Sequence, residues 1–176
     1  VRQMSYLIQG LDANMSLILD LRGNPGGDLH AALDAAMLFL EKDKHLLTIH
    51  YRESKKTYKS STASTIRESD LYIWQDGHTA SAAEVFIAAL LFNQKAKSIG
   101  QTTFGKGTTQ DVIELSDGSA LILTTGQLEI GTDGSYDQKG IPPTYPIESK
   151  HPDVSQYISK TSDMIKGKGE KTVLSV

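Results

Sequence analysis

The stretch Ser16–Glu41 reads SLILDLRGNPGGDLHAALDAAMLFLE and decides the fold class. Its beginning, Ser16–Leu21, is a short apolar run of the kind that forms a buried strand, and a Gly/Pro turn follows at Arg22–Gly27. Asp28–Glu41 then carries apolar residues at helical spacing, with Asp28 as a suitable N-cap. The stretch therefore predicts a strand, a glycine turn and a helix in succession.

The same order of elements recurs further along the chain. Leu71–Gln75 is a second short apolar run, Asp76–Thr79 is a turn, and Ala80–Asn93 has a strongly apolar helical face. Further elements are predicted as strands at His45–Arg52 and Lys97–Gly100, a β-hairpin at Val112–Leu115 and Ala120–Thr125, and a helix at Asp153–Met164. The alternation predicts an α/β domain with helices packed on sheets. We expect residues 1–150 to form the core and residues 151–176 a C-terminal helix and tail.

Composition excludes several classes of function. The chain has 176 residues, enough for one domain with its own hydrophobic core, and its net charge is −3. That charge argues against a surface for nucleic acid. Cysteine is absent, which excludes disulfides, cysteine nucleophiles and thiolate metal sites. The histidines show no metal-ligand spacing, so neither a metal nor another cofactor is expected.

Three segments contain residues that could carry chemistry, and the first is a glycine pair. Gly26 and Gly27 follow a predicted strand, and glycine reaches dihedrals that point backbone N–H groups into open space. Such donors can stabilise an oxyanion. A strand-to-helix turn without any ligand explains the same two glycines equally well.

The second segment centres on Ser81, at the start of a predicted helix and between small residues. A helix N-terminus favours negative charge, which suits a serine nucleophile or a nearby oxyanion. Ser81 and Glu84 also have the spacing of a capping box, a much commoner use of this pattern. His78 is close in sequence, and we expect it at the rim of a cleft and not in the role of base.

The third segment places Lys106 between Gly105 and Gly107. A lysine in such a loop is usually solvated. A phosphate-binding loop is a poor explanation, because the pattern required before Gly-Lys-Ser/Thr is missing and a glycine follows the lysine. Taken alone, the segment does not separate a solvated lysine from a functional one.

Together these segments resemble the C-terminal processing peptidases, also called tail-specific proteases. The matching segments, in the family's order, are Asp20–Gly27, Thr79–Glu84, Thr103–Gln110, Leu115–Thr125 and Gly140–Pro143. One match would be weak evidence, whereas five in order cover nearly the whole chain. The sequence departs from the family at Asp76, usually Asn, and His78, usually Gly. The resemblance implies a serine endopeptidase with a Ser/Lys dyad, on an α/β fold related to the crotonase-like and ClpP-like arrangement.

The resemblance also implies a role for each matching residue. Ser81 takes the place of the nucleophile, Lys106 that of the general base, and Gln110 that of the residue that orients the lysine. The places that form the oxyanion hole fall on Gly27, Gly26 and the backbone N–H of Ala82, with Gly27 favoured over Gly26. A lysine amine acts as a base only when neutral, and burial lowers the pKa of an amine from its reference value of about 10.4.

The family further implies a protein or peptide substrate cleaved near its C-terminus, and an extracytoplasmic location. Many members carry a PDZ domain that binds the substrate's C-terminus. Neither that domain nor the strand expected before Val1 is visible in this sequence. Either the sequence is a fragment and a regulatory PDZ domain or partner lies outside it, or this member lacks PDZ control; a homo-oligomer is compatible with the family. Two alternatives stay open: a non-catalytic peptide- or lipid-binding module on the same fold, and a crotonase-type acyl-CoA enzyme.

Overall fold

The computed structural model describes residues 1–10, 15–61, 64, 70–131 and 134–166, and the backbone of residues 173–175. Its helices are α1 (Arg2–Gln9), α2 (Leu29–Met37), α3 (Ala82–Phe92) and α4 (Val154–Lys166). Its strands are β1 (Ser16–Asp20), β2 (His45–Tyr51), β3 (Lys55–Lys59), β4 (Leu71–Gln75), β5 (Ala96–Gly100), β6 (Thr108–Glu114), β7 (Ala120–Glu129), β8 (Tyr145–Pro146) and β9 (Val173–Ser175). Within the described residues, no helix is long and apolar enough to cross a membrane.

The strands form two sheets of different kinds. The first is parallel, with the order β8-β5-β4-β1-β9, and the second is antiparallel, with the order β3-β2-β7-β6. Each predicted strand–turn–helix unit supplies one central strand of the parallel sheet and one helix. The predicted α/β class is confirmed.

Alternate side chains of the central strands enter two different cores, as the twofold side-chain period of a strand requires. Leu17 and Ile73 enter a core that α2, α3 and strands of the second sheet share. Ile18 and Trp74 instead lie in a core on the other face, together with Tyr157 of α4. Coverage of both faces explains why β1 and β4 are continuous apolar runs and do not alternate with polar residues.

Helix α4 is attached to the parallel sheet by buried hydrogen bonds. The Tyr157 hydroxyl donates to the Gln75 carbonyl at 3.0 Å, and the Trp74 indole N–H donates to the Thr161 hydroxyl at 2.9 Å. Burial raises the pKa of Tyr157 to about 12, so its hydroxyl stays a donor at neutral pH. The Arg22 guanidinium lies 4.6 Å from the centre of the Tyr157 ring and makes a 2.6 Å ion pair with Asp20, and these contacts give Arg22 a structural role.

The structure departs from the predicted elements in several places. Helix α2 ends at Met37, whereas the prediction continued to Glu41. The hairpin is longer than predicted, because β6 already begins at Thr108. The two-residue strand β8 was not predicted, because so short a segment shows no periodicity. In the expected tail, residues 167–172 lie outside the described residues, and β9 pairs in parallel with β1.

We predict that Tyr157→Ala lowers the free energy of unfolding by about 3 to 5 kcal/mol, the usual range for truncating a large buried aromatic residue. Tyr157 is fully buried, whereas its neighbour Ile158 is 52% exposed. Ile158→Ala is therefore the matched control and should change the value by less than about 0.5 kcal/mol. Urea denaturation followed by circular dichroism measures both, and equal effects would contradict the packing of α4 described here.

Candidate active site

The three segments singled out in the sequence all follow the C-terminal ends of neighbouring parallel strands. The glycine turn follows β1, the Ser81 segment follows β4, and the Lys106 loop follows β5. Strand β4 pairs with β1 on one side and with β5 on the other. Parallel strands end at the same edge of their sheet, where α/β folds commonly bind ligands. The fold therefore places Ser81 between the glycine turn and the lysine loop.

The glycine turn is fastened to the Ser81 segment through its backbone. The Ala80 N–H donates to the Asn24 carbonyl at 2.9 Å, and the Asp76 carboxylate accepts the Gly23 N–H at 3.0 Å. Gly26 has a φ of +95°, and a Cβ there would lie 2.7 Å from the Ala80 carbonyl oxygen. A glycine is therefore required at position 26 both by its dihedral and by the close approach of the two segments.

Ser81 occupies an unusual backbone conformation at the start of α3. Its φ is 56° and its ψ is −122°, a region that residues with a side chain rarely adopt and that typically costs about 1–3 kcal/mol. Such strain persists only where neighbouring interactions hold the residue in place. The partner that holds Ser81 is Glu84, whose carboxylate accepts the Ser81 N–H at 2.8 Å.

Glu84 is fully buried, and both oxygens of its carboxylate are hydrogen bonded. Its Oε1 accepts from the Thr103 hydroxyl at 2.5 Å and from the Gly105 N–H at 2.7 Å. Its Oε2 accepts from the N–H groups of Ser81 and Lys106, each at 2.8 Å. One carboxylate oxygen therefore holds the backbones of the serine and the lysine, and Glu84 does much more than cap the helix.

The Lys106 loop is also held from its other side, by a segment that sequence reasoning did not single out. The Asp137 carboxylate accepts the Gly107 N–H at 2.9 Å, and the Gln138 N–H donates to the Gly105 carbonyl at 2.8 Å. A Cβ at Gly107 would lie 2.7 Å from the Asp137 nitrogen. The glycines on both sides of Lys106 thus allow close packing as well as backbone freedom.

The Tyr136 side chain is buried close enough to Glu84 and Asp137 to be affected by their negative charges. Burial and then the negative charges of Glu84 and Asp137 raise the pKa of Tyr136, so its phenol stays neutral. Its hydroxyl is buried and has no hydrogen-bond partner among the described residues. Nothing in the sequence pattern around Tyr136 indicated this position.

A cavity of about 390 Å³ brings most of the predicted site residues together. The residues among its lining that the sequence had singled out are Ser81, Lys106, Gln110, Gly27 and Ala82. Gly26 does not line this cavity; it lines a second one, mostly apolar and also of about 390 Å³, which shares Gly27 and Ala82 with the first. His78 is exposed and lines neither cavity.

The backbone donors beside Ser81 differ in their availability. The Gly26 N–H donates to the Asn24 side-chain oxygen at 2.9 Å. The N–H groups of Gly27 and Ala82 have no acceptor among the described residues. Ala82 begins α3, where the first N–H groups of a helix lack an intrahelical partner.

The side chains of Ser81, Lys106 and Gln110 line one cavity, but no hydrogen bond between described residues joins them. Lys106 and Gln110 are both exposed, so the burial of the amine expected from the sequence is absent from this structure. In the described part of the chain, no cluster of three or more His, Asp or Glu side chains could hold a metal ion.

Comparison with known proteins shows the family of this chain. The profile of peptidase family S41 matches residues 2–147. The chain belongs to this family. The carboxy-terminal processing protease CtpA of Bacillus subtilis is 38% identical over 141 residues, which cover 79% of this S41 chain and 29% of that protein. Carboxyl-terminal-processing peptidase 2 of the Arabidopsis thaliana chloroplast is 32% identical over 153 residues, which cover 86% of this chain and 30% of that protein.

A solved structure shows the same fold. The photosystem II D1 C-terminal processing protease superposes with a TM-score of 0.74 at 25% identity, over 89% of this S41 chain and 42% of that chain. The chain spans about a third or less of the curated relatives named above. The resemblance stated from the sequence motifs is confirmed at the level of the family.

We predict that Gly26→Ala lowers the free energy of unfolding by roughly 2–4 kcal/mol, because the new methyl group would push the glycine turn away from Ala80. Gly23→Ala is the matched control, since Gly23 also has a positive φ but open space around its Cβ position. Its loss should be about 1 kcal/mol, from the dihedral alone. Chemical denaturation measures the free energy of unfolding of both variants. Equal losses would refute the close contact between Gly26 and Ala80.

A second prediction concerns Glu84. Glu84→Gln replaces an oxygen that accepts two hydrogen bonds with an NH₂ group, so two buried donors lose their acceptor and the free energy of unfolding should fall by about 3 kcal/mol or more. Asp137→Asn is the control, because Asp137 accepts the Gly107 N–H with one oxygen that the amide retains. A fall of about 1 kcal/mol or less is expected there, and a similarly small fall for Glu84→Gln would show that the carboxylate network is unimportant.

Proposed function

We propose that the protein is a serine endopeptidase in which Ser81 Oγ is the nucleophile and Lys106 Nζ is the general base. The observation that carries this proposal is the single Glu84 oxygen that binds both the Ser81 N–H and the Lys106 N–H. The two residues are thereby fixed on the wall of one cavity. Membership of peptidase family S41 supports the same chemistry.

In the proposed reaction, Lys106 Nζ takes the proton of the Ser81 hydroxyl while Oγ attacks the substrate carbonyl. The C–N bond then breaks, and the proton passes from the lysine to the leaving amine. Water, activated by the same lysine, hydrolyses the acyl-enzyme. The N–H groups of Gly27 and Ala82 would stabilise the negative charge on the carbonyl oxygen, with the N-terminus of α3 behind them. Gly26 is the weaker candidate, since its N–H already binds Asn24.

The base requires a neutral amine, and a substrate could provide the needed burial. Lys106 and Gln110 are exposed and face the same cavity. A polypeptide lying in that cavity would exclude water from both side chains, which favours the neutral amine. The Gln110 side-chain oxygen would then accept a hydrogen bond from Nζ and direct its lone pair toward Ser81 Oγ.

The two cavities and the names of the relatives support a proposal for the substrate class. The second cavity is lined by apolar side chains such as Leu19, Ala32 and Phe86 and meets the first at Gly27 and Ala82. We propose that it receives an apolar side chain next to the scissile bond. Because relatives are named carboxyl-terminal processing proteases, cleavage near the C-terminus of a protein is part of the proposal. So are an extracytoplasmic location, a PDZ domain elsewhere in the protein, and assembly into a homo-oligomer.

A non-catalytic peptide- or lipid-binding module is the second candidate. The exposure of Lys106, and the lack of a hydrogen bond between its side chain and Ser81 among the described residues, favour it. A crotonase-type acyl-CoA enzyme has no comparable observation in its support. Formation of a covalent acyl-enzyme on Ser81 distinguishes the peptidase from the binding module.

We predict that Ser81→Ala and Lys106→Ala each reduce cleavage of an unfolded protein substrate by at least about 10³-fold, because the nucleophile or its base is lost. Lys139→Ala, in an exposed loop outside the cavity, is the control and should cleave at the normal rate. Gel assays and mass spectrometry of Ser81 after treatment with a fluorophosphonate provide the measurements. Near-normal activity of Lys106→Ala would overturn the dyad, and a protein that binds peptide without labelling would favour the binding module.

A further inference from the structure

Strands β6 and β7 extend beyond the rest of the antiparallel sheet as a two-stranded ribbon. Strand β2 pairs with β7 only from Gly126 to Glu129. From Gln110 to Glu114, β6 pairs with Ala120–Thr124 of β7, and neither strand has another neighbour there among the described residues. We call this part, Gln110–Thr124, the ribbon. A two-stranded ribbon without a packed face is marginally stable in water.

The ribbon exposes an unusual number of large aliphatic side chains. Their exposed fractions are 65% for Val112, 44% for Ile113, 47% for Leu115, 45% for Leu121, 61% for Ile122 and 41% for Leu123. Val112 pairs with Ile122, and Ile113 pairs with Leu121, so both faces of the ribbon carry apolar pairs. A contiguous exposed apolar patch usually marks a surface that binds another molecule.

The outer edge of β6 offers hydrogen bonds as well as apolar contacts. In an antiparallel ladder, half of the N–H and C=O groups of an edge strand point away from its partner. Strand β6 is the end member of its sheet in the described part of the chain. It contains neither proline nor lysine, residues that commonly protect exposed edges. This edge is therefore open to a further strand.

The same strand forms part of the wall of the Ser81 cavity. Thr108, Thr109, Gln110 and Asp111, at the start of β6, line that cavity. The open edge thus begins at the site where we place the chemistry and leads away from it. From Gln110 to Glu114 the edge is about 14 Å long at the usual rise of about 3.4 Å per residue.

We propose that an extended segment of the substrate polypeptide pairs with the outer edge of β6 as an added strand, with apolar side chains against the ribbon. This inference rests on the function proposed above and adds the surface that holds the substrate. The main-chain hydrogen bonds of an added strand give affinity, and the contacts of every second side chain give specificity for the residues of the substrate. The occupant is the substrate because the edge is continuous with the cavity that holds Ser81 and Lys106.

The pairing predicts a periodic response to backbone methylation. We would measure by fluorescence anisotropy the binding of a 12-residue, apolar-rich peptide to the Ser81→Ala protein, which removes turnover from the measurement. The peptide is N-methylated at one position at a time. Because alternate N–H groups of an added strand face its partner, methylation at every second position should weaken binding about 2- to 10-fold, and methylation between them should have little effect. Uniform effects, or none, would overturn the proposal.

A pair of protein variants tests the position of the added strand. Val112 and Ile122 pair across the ribbon, but only Val112 belongs to β6, the strand whose first residues line the Ser81 cavity. Neighbouring strands lie about 4.8 Å apart, so Ile122 would be one strand further from the peptide. Val112→Lys should weaken peptide binding about 10-fold, and Ile122→Lys less than about 2-fold. Equal effects of the two variants would contradict the assignment to the β6 edge.

Three further outcomes are distinguishable. If the peptide shows no periodic response while the protein dimerises through this edge, sedimentation will show the dimer dissociating in Val112→Lys, and the occupant is a second copy instead of substrate. If the periodic response is present but Ser81→Ala leaves peptide cleavage unchanged, the binding surface stands and the proposed catalytic function fails. Cleavage lost in Ser81→Ala without a periodic response leaves the dyad standing and refutes the added strand.

Discussion

The buried carboxylate of Glu84 is the interaction on which the rest of the site depends. A charge without access to water is tolerated only where hydrogen bonds replace its hydration. Four donors do so here, and they come from the start of α3 and from the loop after β5. Satisfying this one charge therefore holds together the segments that carry Ser81 and Lys106. The same interaction maintains the strained φ of Ser81.

The parallel sheet determines which segments Glu84 can connect. Because β1, β4 and β5 are neighbours and end at one edge, the loops that follow them meet without long connections. Asn24 and Asp76 fasten the glycine turn to the Ser81 segment as Glu84 fastens the lysine loop. The antiparallel sheet then contributes the opposite wall of the cavity and the ribbon that projects from it. Rigid strands thus position the segments that carry the glycine turn, Ser81 and Lys106.

The sequence predicted the fold where each element has its own local signal. Strands β1 and β4 are apolar runs, and Asp28 does cap α2, accepting the Ala31 N–H at 2.7 Å. Ser81 and Lys106 could be selected only through the family resemblance, because each is individually typical of a cap or a loop. The wider role of Glu84 was missed, since its partners in the loop after β5 lie some 20 residues away and show no pattern. The exposure of Lys106 is a tertiary property that no spacing reveals.

The most direct test of the account is a crystal structure of the protein with a peptide boronate bound to Ser81. The account predicts that Lys106 Nζ lies about 2.6–3.2 Å from Ser81 Oγ, with the side-chain oxygen of Gln110 in contact with the amine. It also predicts that the N–H groups of Gly27 and Ala82 point at a boronate oxygen. A lysine side chain that stays in solvent, away from an occupied Ser81, would contradict the Ser/Lys assignment.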